Sequence, residues 1–143
     1  MIANKIDSFR GKYYFLSNFY EAKVTHDGTT YLNNEAAFQA CKLKNPSERV
    51  SFSSIDPSSA KRKGRNVRLR GDWEKVKETI MYEVCLAKFT QNEDLKKKLL
   101  ETGDAILIEG NTWNDTYWGV CRGRGKNALG KILMRIRSEL RES

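Results

Sequence analysis

The sequence predicts a single α+β domain, compact and mostly helical with a small set of short strands, spanning residues 1–143. Three observations predict it. A chain of 143 residues has one domain's length, and about 100–200 residues per domain is the usual measure. Apolar residues recur at helical spacing in several segments, the longest from 73 to 89. The strand signals are short and hairpin-like, without the regular strand and helix alternation of a βαβ array.

In order along the chain, the first strand signal is the stretch 24–31, where β-branched residues flank Asp27-Gly28, the mark of a hairpin with a tight turn that also holds His26. Asn33 or Asn34 then caps a helix reaching about Lys42, with Ala37, Phe38 and Cys41 facing a core. Asp56-Pro57 opens a short helix that leads into the basic run 61–70. Asp72 caps the longest helix, whose apolar positions Trp73, Val76, Ile80, Val84 and Ala87 define one buried face, ending near Phe89. Asn92 caps a short helix carrying Leu95, Leu99 and Leu100 and stopped by Gly103. The run 105–108 reads as a buried strand, 117–120 as a second one. The closing helix, about 127–140, has the stripe Leu129, Ile132, Leu133, Ile136 and Leu140. Gly123, Gly125 and Gly130 are not spaced as GxGxxG, so a dinucleotide fold is not predicted.

Composition narrows the function. Lys and Arg number 26 against 18 Asp and Glu, a net charge of +8, which draws anions such as phosphates or nucleic acid. Three cysteines and one histidine without a CxxC pair argue against structural zinc and against a disulfide framework. Cys-His catalysis requires the fold to bring a cysteine to His26; buried, inert thiols are the reading preferred. No apolar stretch approaches the roughly 20 residues of a membrane span, and the first ten residues have no apolar signal core. A soluble, cytoplasmic protein without membrane, metal or cofactor is expected.

Three constellations can carry chemistry. Glu35, Gln39 and Lys42 fall on one helix face, placing a carboxylate, an amide and an amine in one patch; the alternative is an exposed polar stripe. The loop 111–119 packs Trp113, Trp118, Tyr117, two Asn and Asp115 into nine residues. Aromatic faces stack on nucleobases, and a carboxylate can bind ribose hydroxyls or stabilise a cationic sugar. Its alternative is a core edge with Asp115 closing a side-chain turn. Arg122-Gly123-Arg124-Gly125-Lys126-Asn127 runs into the last helix, so free N–H groups and three cations can converge on a phosphate; otherwise it is a glycine turn capped by Asn127. The basic run 61–70 reads as a solvated face, without interleaved aromatics for base reading.

Taken together, Phe15-Leu16-Ser17-Asn18-Phe19-Tyr20, then Tyr31, Glu35, Gln39 and Lys42, then Asp72-Trp73 with Met81 and Lys88-Phe89, then Asp115 with Trp118-Gly119, then Gly123, Gly125, Asn127, Leu129-Gly130, Leu133-Met134 and Ile136-Arg137 form a pattern. It resembles the NADAR family, also called YbiA-like, from about Phe9 to Leu140. The resemblance implies an N-glycosidase that cleaves a ribose C1′–N bond, acting on ribosylamino-pyrimidine phosphates of riboflavin biosynthesis or removing ADP-ribose from guanine in nucleic acid. Glu35 is then the carboxylate near C1′, Asp115 a ribose ligand or second acid/base, and Lys42 a nucleophile if its amine is neutral. Ser17 and Asn18 can bond ribose or phosphate, and Phe19 stacks or fills the core. Trp73 either staples the long helix or leans into the pocket, and Trp118 beside Gly119 is assigned to the pocket. The net charge favours ADP-ribosylated nucleic acid over a small ribosyl phosphate as partner. Two other classes compete: a non-catalytic ADP-ribose or nucleotide-binding module, and a nucleic-acid-binding protein whose affinity falls with salt.

Overall fold

The computed structural model describes residues 4–142, in which six α-helices and six short strands form two compact units, Asn18–Asn92 and the described part of Met1–Ser17 with Glu93–Ser143. The α+β class and the predominance of helix are as predicted.

In the unit 18–92, strands β2 (Glu21–His26) and β3 (Thr29–Asn33) form the predicted hairpin. Asp27 and Gly28 both take positive φ, 49° and 83°, the turn that matches strand twist and favours glycine. Val24 and Tyr31 pair across the hairpin and are fully buried. Asn33 caps α1 (Asn34–Ala40), its side-chain oxygen accepting from Ala36 N at 2.8 Å. At seven residues α1 is too short to stand alone, and it packs on α3 and α4. A helix absent from the sequence reading, α2 (Pro46–Arg49), starts at Asn45-Pro46, the same cap signal as Asp56-Pro57, which opens α3 (Pro57–Gly64) as predicted.

The long helix α4 (Trp73–Gln91) buries Trp73, Ile80, Val84 and, on the adjoining stripe, Met81, Cys85 and Lys88. Asp72 does not cap it through its side chain, because both carboxylate oxygens take hydrogen bonds from Arg70, at 2.7 and 3.2 Å. Lys88 is 1% exposed. Its ammonium lies 5.0 Å from the ring centre of Phe89 and 5.7 Å from that of Tyr20, and burial pulls its pKa down to about 8.

In the other unit, α5 (Glu93–Glu101) packs on α6 (Ala128–Arg141). The predicted stripe of α6 is buried throughout, as are Leu95 and Leu99. Two strand expectations are corrected. The run 105–108 contributes only β4 (Ile106–Leu107), with Leu107 buried and Ile106 exposed, where it pairs with the two-residue strand β1 (Lys5–Ile6). The stretch 117–120 gives way to β6 (Val120–Cys121), which pairs with β5 (Gly110–Asn111). Both pairs are parallel rather than hairpins. Asn127 takes positive φ (56°) and does not cap α6; its amide instead accepts from Glu109 N at 3.0 Å and donates to Leu107 O at 2.9 Å.

Candidate active site

All seven residues of α1 are buried, so the exposed-stripe alternative for Glu35 and Gln39 does not hold: they are 8% and 6% exposed. Gln39 Nε2 donates to Glu35 Oε2 at 2.7 Å, a bond one helical turn long made possible by the i, i+4 spacing. The Glu35 main-chain N–H donates to Asn18 O at 3.0 Å. Burying a carboxylate is costly unless it is hydrogen-bonded, and this one is held from its own helix.

Lys42 lies just beyond α1 and half-buried, with its carbonyl taken by Arg70 N at 2.9 Å. Its amine donates to Gly64 O at 3.3 Å and stands 6.0 Å from the ring centre of Trp73. Burial lowers the amine's pKa first; Glu35 opposes that shift and Arg65 adds to it. A lysine so placed loses its proton more readily than one in water. Trp73 is 6% exposed and its ring lies 5.2 Å from that of Phe38, so it both packs the start of α4 and faces the amine.

The side chain of Asn18 is turned inward: Oδ1 accepts from Asn34 Nδ2 at 2.8 Å, and Nδ2 reaches Met81 Sδ at 3.4 Å. Phe19 is half-buried, with Lys61 Nζ 5.9 Å from its ring centre, and Lys63 similarly covers Phe52. The basic run is therefore not merely solvated; two of its lysines lie over rings supplied by other segments. Ser17, in the other unit, is half-buried and ends a 3₁₀ turn with its N–H on Tyr14 O.

Within the loop 111–119, Asp115 Oδ1 accepts from Tyr117 N and Trp118 N, at 3.2 and 2.9 Å, the side-chain turn foreseen as one alternative. Trp118 is half-buried edge-on to Tyr117 at 4.8 Å, whereas Trp113 is half-exposed. A side chain at Gly119 would strike Glu109 and come within 2.8 Å of Asn111 Nδ2, so its glycine permits a close approach inside the loop. Glu109 was missed by the sequence reading. Half-buried, it accepts from Asn111 Nδ2 at 3.0 Å through Oε2, and its only sequence signal is an acid ending the apolar run 105–108.

In the turn 122–127, Arg122, Gly123, Gly125 and Asn127 all have positive φ. The N–H groups where this turn meets α6 are not free. Those of Lys126, Asn127, Ala128 and Leu129 donate to the carbonyls of Thr116, Gly119, Tyr117 and Trp118, and that of Arg124 to Cys121 O, while the side chains of Arg122 and Arg124 are exposed.

The fold does bring a cysteine to His26: Cys41 Sγ is 3.5 Å from Nδ1, and Nε2 is 2.9 Å from Glu83 Oε1. Cys41 is nevertheless 1% exposed, and burial pushes its thiol up to about 11, so it stays protonated and shielded. Among the described residues, no cluster of three His, Cys, Asp or Glu side chains could hold a metal ion, and no helix is long and apolar enough to cross a membrane.

The NADAR domain model matches residues 7–141. The chain is 41% identical over 128 residues to "N-glycosidase YbiA" of Escherichia coli (strain K12), covering 87% of this chain and 79% of that protein. It is 37% identical over 133 residues to "Riboflavin biosynthesis protein VVA0006" of Vibrio vulnificus, covering 90% of this chain and 36% of that protein. The NMR structure of E. coli YbiA superimposes with a TM-score of 0.86 at 37% identity, over 99% of this chain and 88% of the other. With the same fold, and the family's model matched almost end to end, the chain belongs to the NADAR domain family.

Proposed function

We propose that this chain, a hydrolase of the N-glycosidase type, cleaves the bond between ribose C1′ and a base nitrogen, and that its substrate is ADP-ribosylated guanine in nucleic acid. The hydrolase class follows from the family and from the relative named an N-glycosidase. The observation that carries the reading is the buried Glu35 and Gln39 pair on the same short helix that leads into Lys42. The net charge of +8, with ten cations against four acids over residues 42–75 and seven against one over 122–141, supports a polyanionic substrate.

Cleavage passes through an oxocarbenium-like ribose. Glu35 stabilises the charge growing at C1′ or takes a proton from attacking water, while the base leaves with a proton. In the covalent route, Lys42 Nζ attacks C1′ as the C1′–N bond breaks, the sugar opens to a Schiff base, and water hydrolyses the imine to return the amine. The lowered pKa of Lys42 supports that route. For the remaining residues we propose Asp115 for ribose hydroxyls or as a second acid/base, Trp118 with Gly119 for the base, and Arg122, Gly123, Arg124 and Gly125 for phosphate, with Asn127 serving that subsite by holding the turn through Glu109 N and Leu107 O. Ser17, Asn18, Phe19, Gln39 and Trp73 complete the proposed binding set, Asn18 and Gln39 by holding Glu35. The matched stretch 7–141 runs through both units, which supports reading residues 1–143 as one functional domain. Three free, buried cysteines support a cytoplasmic location.

A second substrate class, ribosylamino-pyrimidine phosphates, is favoured by the V. vulnificus relative's name. Incubating the protein separately with ADP-ribosylated DNA and with a ribosylamino-pyrimidine phosphate, and following base release by chromatography, tests both. Release from the DNA is expected. Release from the pyrimidine alone replaces the first reading with the second, and binding without any release selects a non-catalytic nucleotide-binding module.

A further inference from the structure

Gly64 is the last residue of α3, buried against α1. A Cβ built on it would overlap Gln39 Oε1 and lie 2.6 Å from Gln39 Cδ and 3.2 Å from Gln39 Cβ. Its backbone is not in the left-handed region, so alanine is conformationally allowed there and favoured over glycine by helix propensity, by about 1 kcal/mol. The glycine therefore answers to space rather than to backbone conformation. The same residue's carbonyl accepts from Lys42 Nζ at 3.3 Å; as a helix-terminal carbonyl it has no N–H four residues on within the helix to bind.

We infer that Gly64 is a positioning residue for both reactive groups of the site, its bare Cα seating Gln39 and so Glu35, and its carbonyl orienting the Lys42 amine. The inference rests on the glycosidase reading of Glu35 and Lys42. Gln39 spends Nε2 on Glu35, and its Oε1 is buried without a hydrogen-bond partner among the described residues. What holds the amide in that orientation is thus one bond to the carboxylate and the flat contact with Gly64. A methyl group on Gly64 requires the Gln39 amide to shift, since Oε1 and Cδ both lie in its way and Cβ at 3.2 Å leaves little slack, and the contact that shift puts at risk is the bond from Nε2 to Glu35. On the other side of the glycine, the Lys42 amine donates one N–H to Gly64 O, which restricts how the amine is turned.

Four proteins test this: wild type, Gly64→Ala, Gln39→Ala and the double variant, each compared for kcat, KM and thermal melting on the substrate the wild type turns over. Gly64→Ala is expected to lower kcat about 100-fold with KM within about threefold, the split of a group acting in the transition state, and Gln39→Ala about 10-fold. The double variant is expected within about threefold of Gln39→Ala, because the methyl then has no amide to displace. A Gly64→Ala protein with kcat within about threefold of wild type overturns the inference, as does a double variant that loses the product of the two single effects. If Gly64→Ala does not melt cooperatively, the double variant must restore the melt, and one that does not also overturns it. Absence of base release by the wild type instead defeats the glycosidase reading. In that case the melting temperatures decide on the seat: a double variant more stable than Gly64→Ala supports it, and additive losses contradict it.

Discussion

Gln39 Nε2 donates to Glu35 Oε2 at 2.7 Å inside a helix whose every residue is buried. That one bond ties an amide four residues on to the carboxylate proposed to act at C1′, and it holds only as long as the seven-residue helix itself does. Asn33 starts that helix, accepting from Ala36 N at 2.8 Å and donating to Ile55 O at 3.0 Å.

Asn33→Ala removes both contacts. It is expected to destabilise the protein by about 1–2 kcal/mol, the usual cost of a lost N-cap, read by thermal or denaturant melting. Activity should fall with the folded fraction, while KM stays unchanged.

Burial and Arg65 make the Lys42 amine less basic than an ordinary lysine, with Glu35 partly opposing them. If the neutral amine attacks, turnover rises with pH through this lowered pKa, with its midpoint below the pH at which an ordinary lysine titrates. Borohydride added during turnover should trap a sugar on the wild-type protein and none on Lys42→Ala. A turning-over wild type that yields no adduct removes the covalent route and leaves Glu35 with water.

Lys88 titrates at about 8 in the folded protein against an ordinary lysine value of 10.5. Between those values the unfolded chain holds more protons than the folded one, so stability must rise with pH across that window. Lys88→Met, which cannot titrate, should lack the rise. Melting both proteins from pH 7 to pH 10 checks it: the wild type gains on the variant as pH increases.

The turn 122–127 offers an anion its exposed arginine side chains, while the N–H groups of Lys126 and Asn127 are spent on the loop before it. Replacing Arg122 and Arg124 by Ser is therefore expected to raise KM for a phosphate-bearing substrate about 10-fold and leave kcat near wild type, with a weaker dependence on salt. An unchanged KM removes phosphate binding from this turn.

What could be read from the sequence follows the range of the interactions involved. The Asp27-Gly28 hairpin, the caps at Asn33 and Asp56 and the shared face of Glu35 and Gln39 are set by residues within four positions of each other, and the structure shows each of them. The rest depends on partners far along the chain. Asp72 is diverted from capping α4 by Arg70, Asn127 bonds residues 18 and 20 positions earlier, and Gly64 meets Gln39 across two helices. Cys41 reaches His26 through the hairpin, and Lys88 disappears into a core that its charge alone would argue against. In the candidate site, Glu35, Gln39 and Lys42 announce themselves by side-chain type and spacing, whereas Gly64, which meets Gln39 and Lys42, has no side chain to do so.

Glu35 is the carboxylate proposed to stand beside C1′. Measuring base release by Glu35→Gln beside the wild type tests it most directly, because the amide keeps the shape of the side chain and removes its charge. The expected result is a loss of kcat of about 10²–10⁴-fold, the usual contribution of such a group, with an unchanged melting temperature. Base release at the wild-type rate by a folded Glu35→Gln protein would contradict the account.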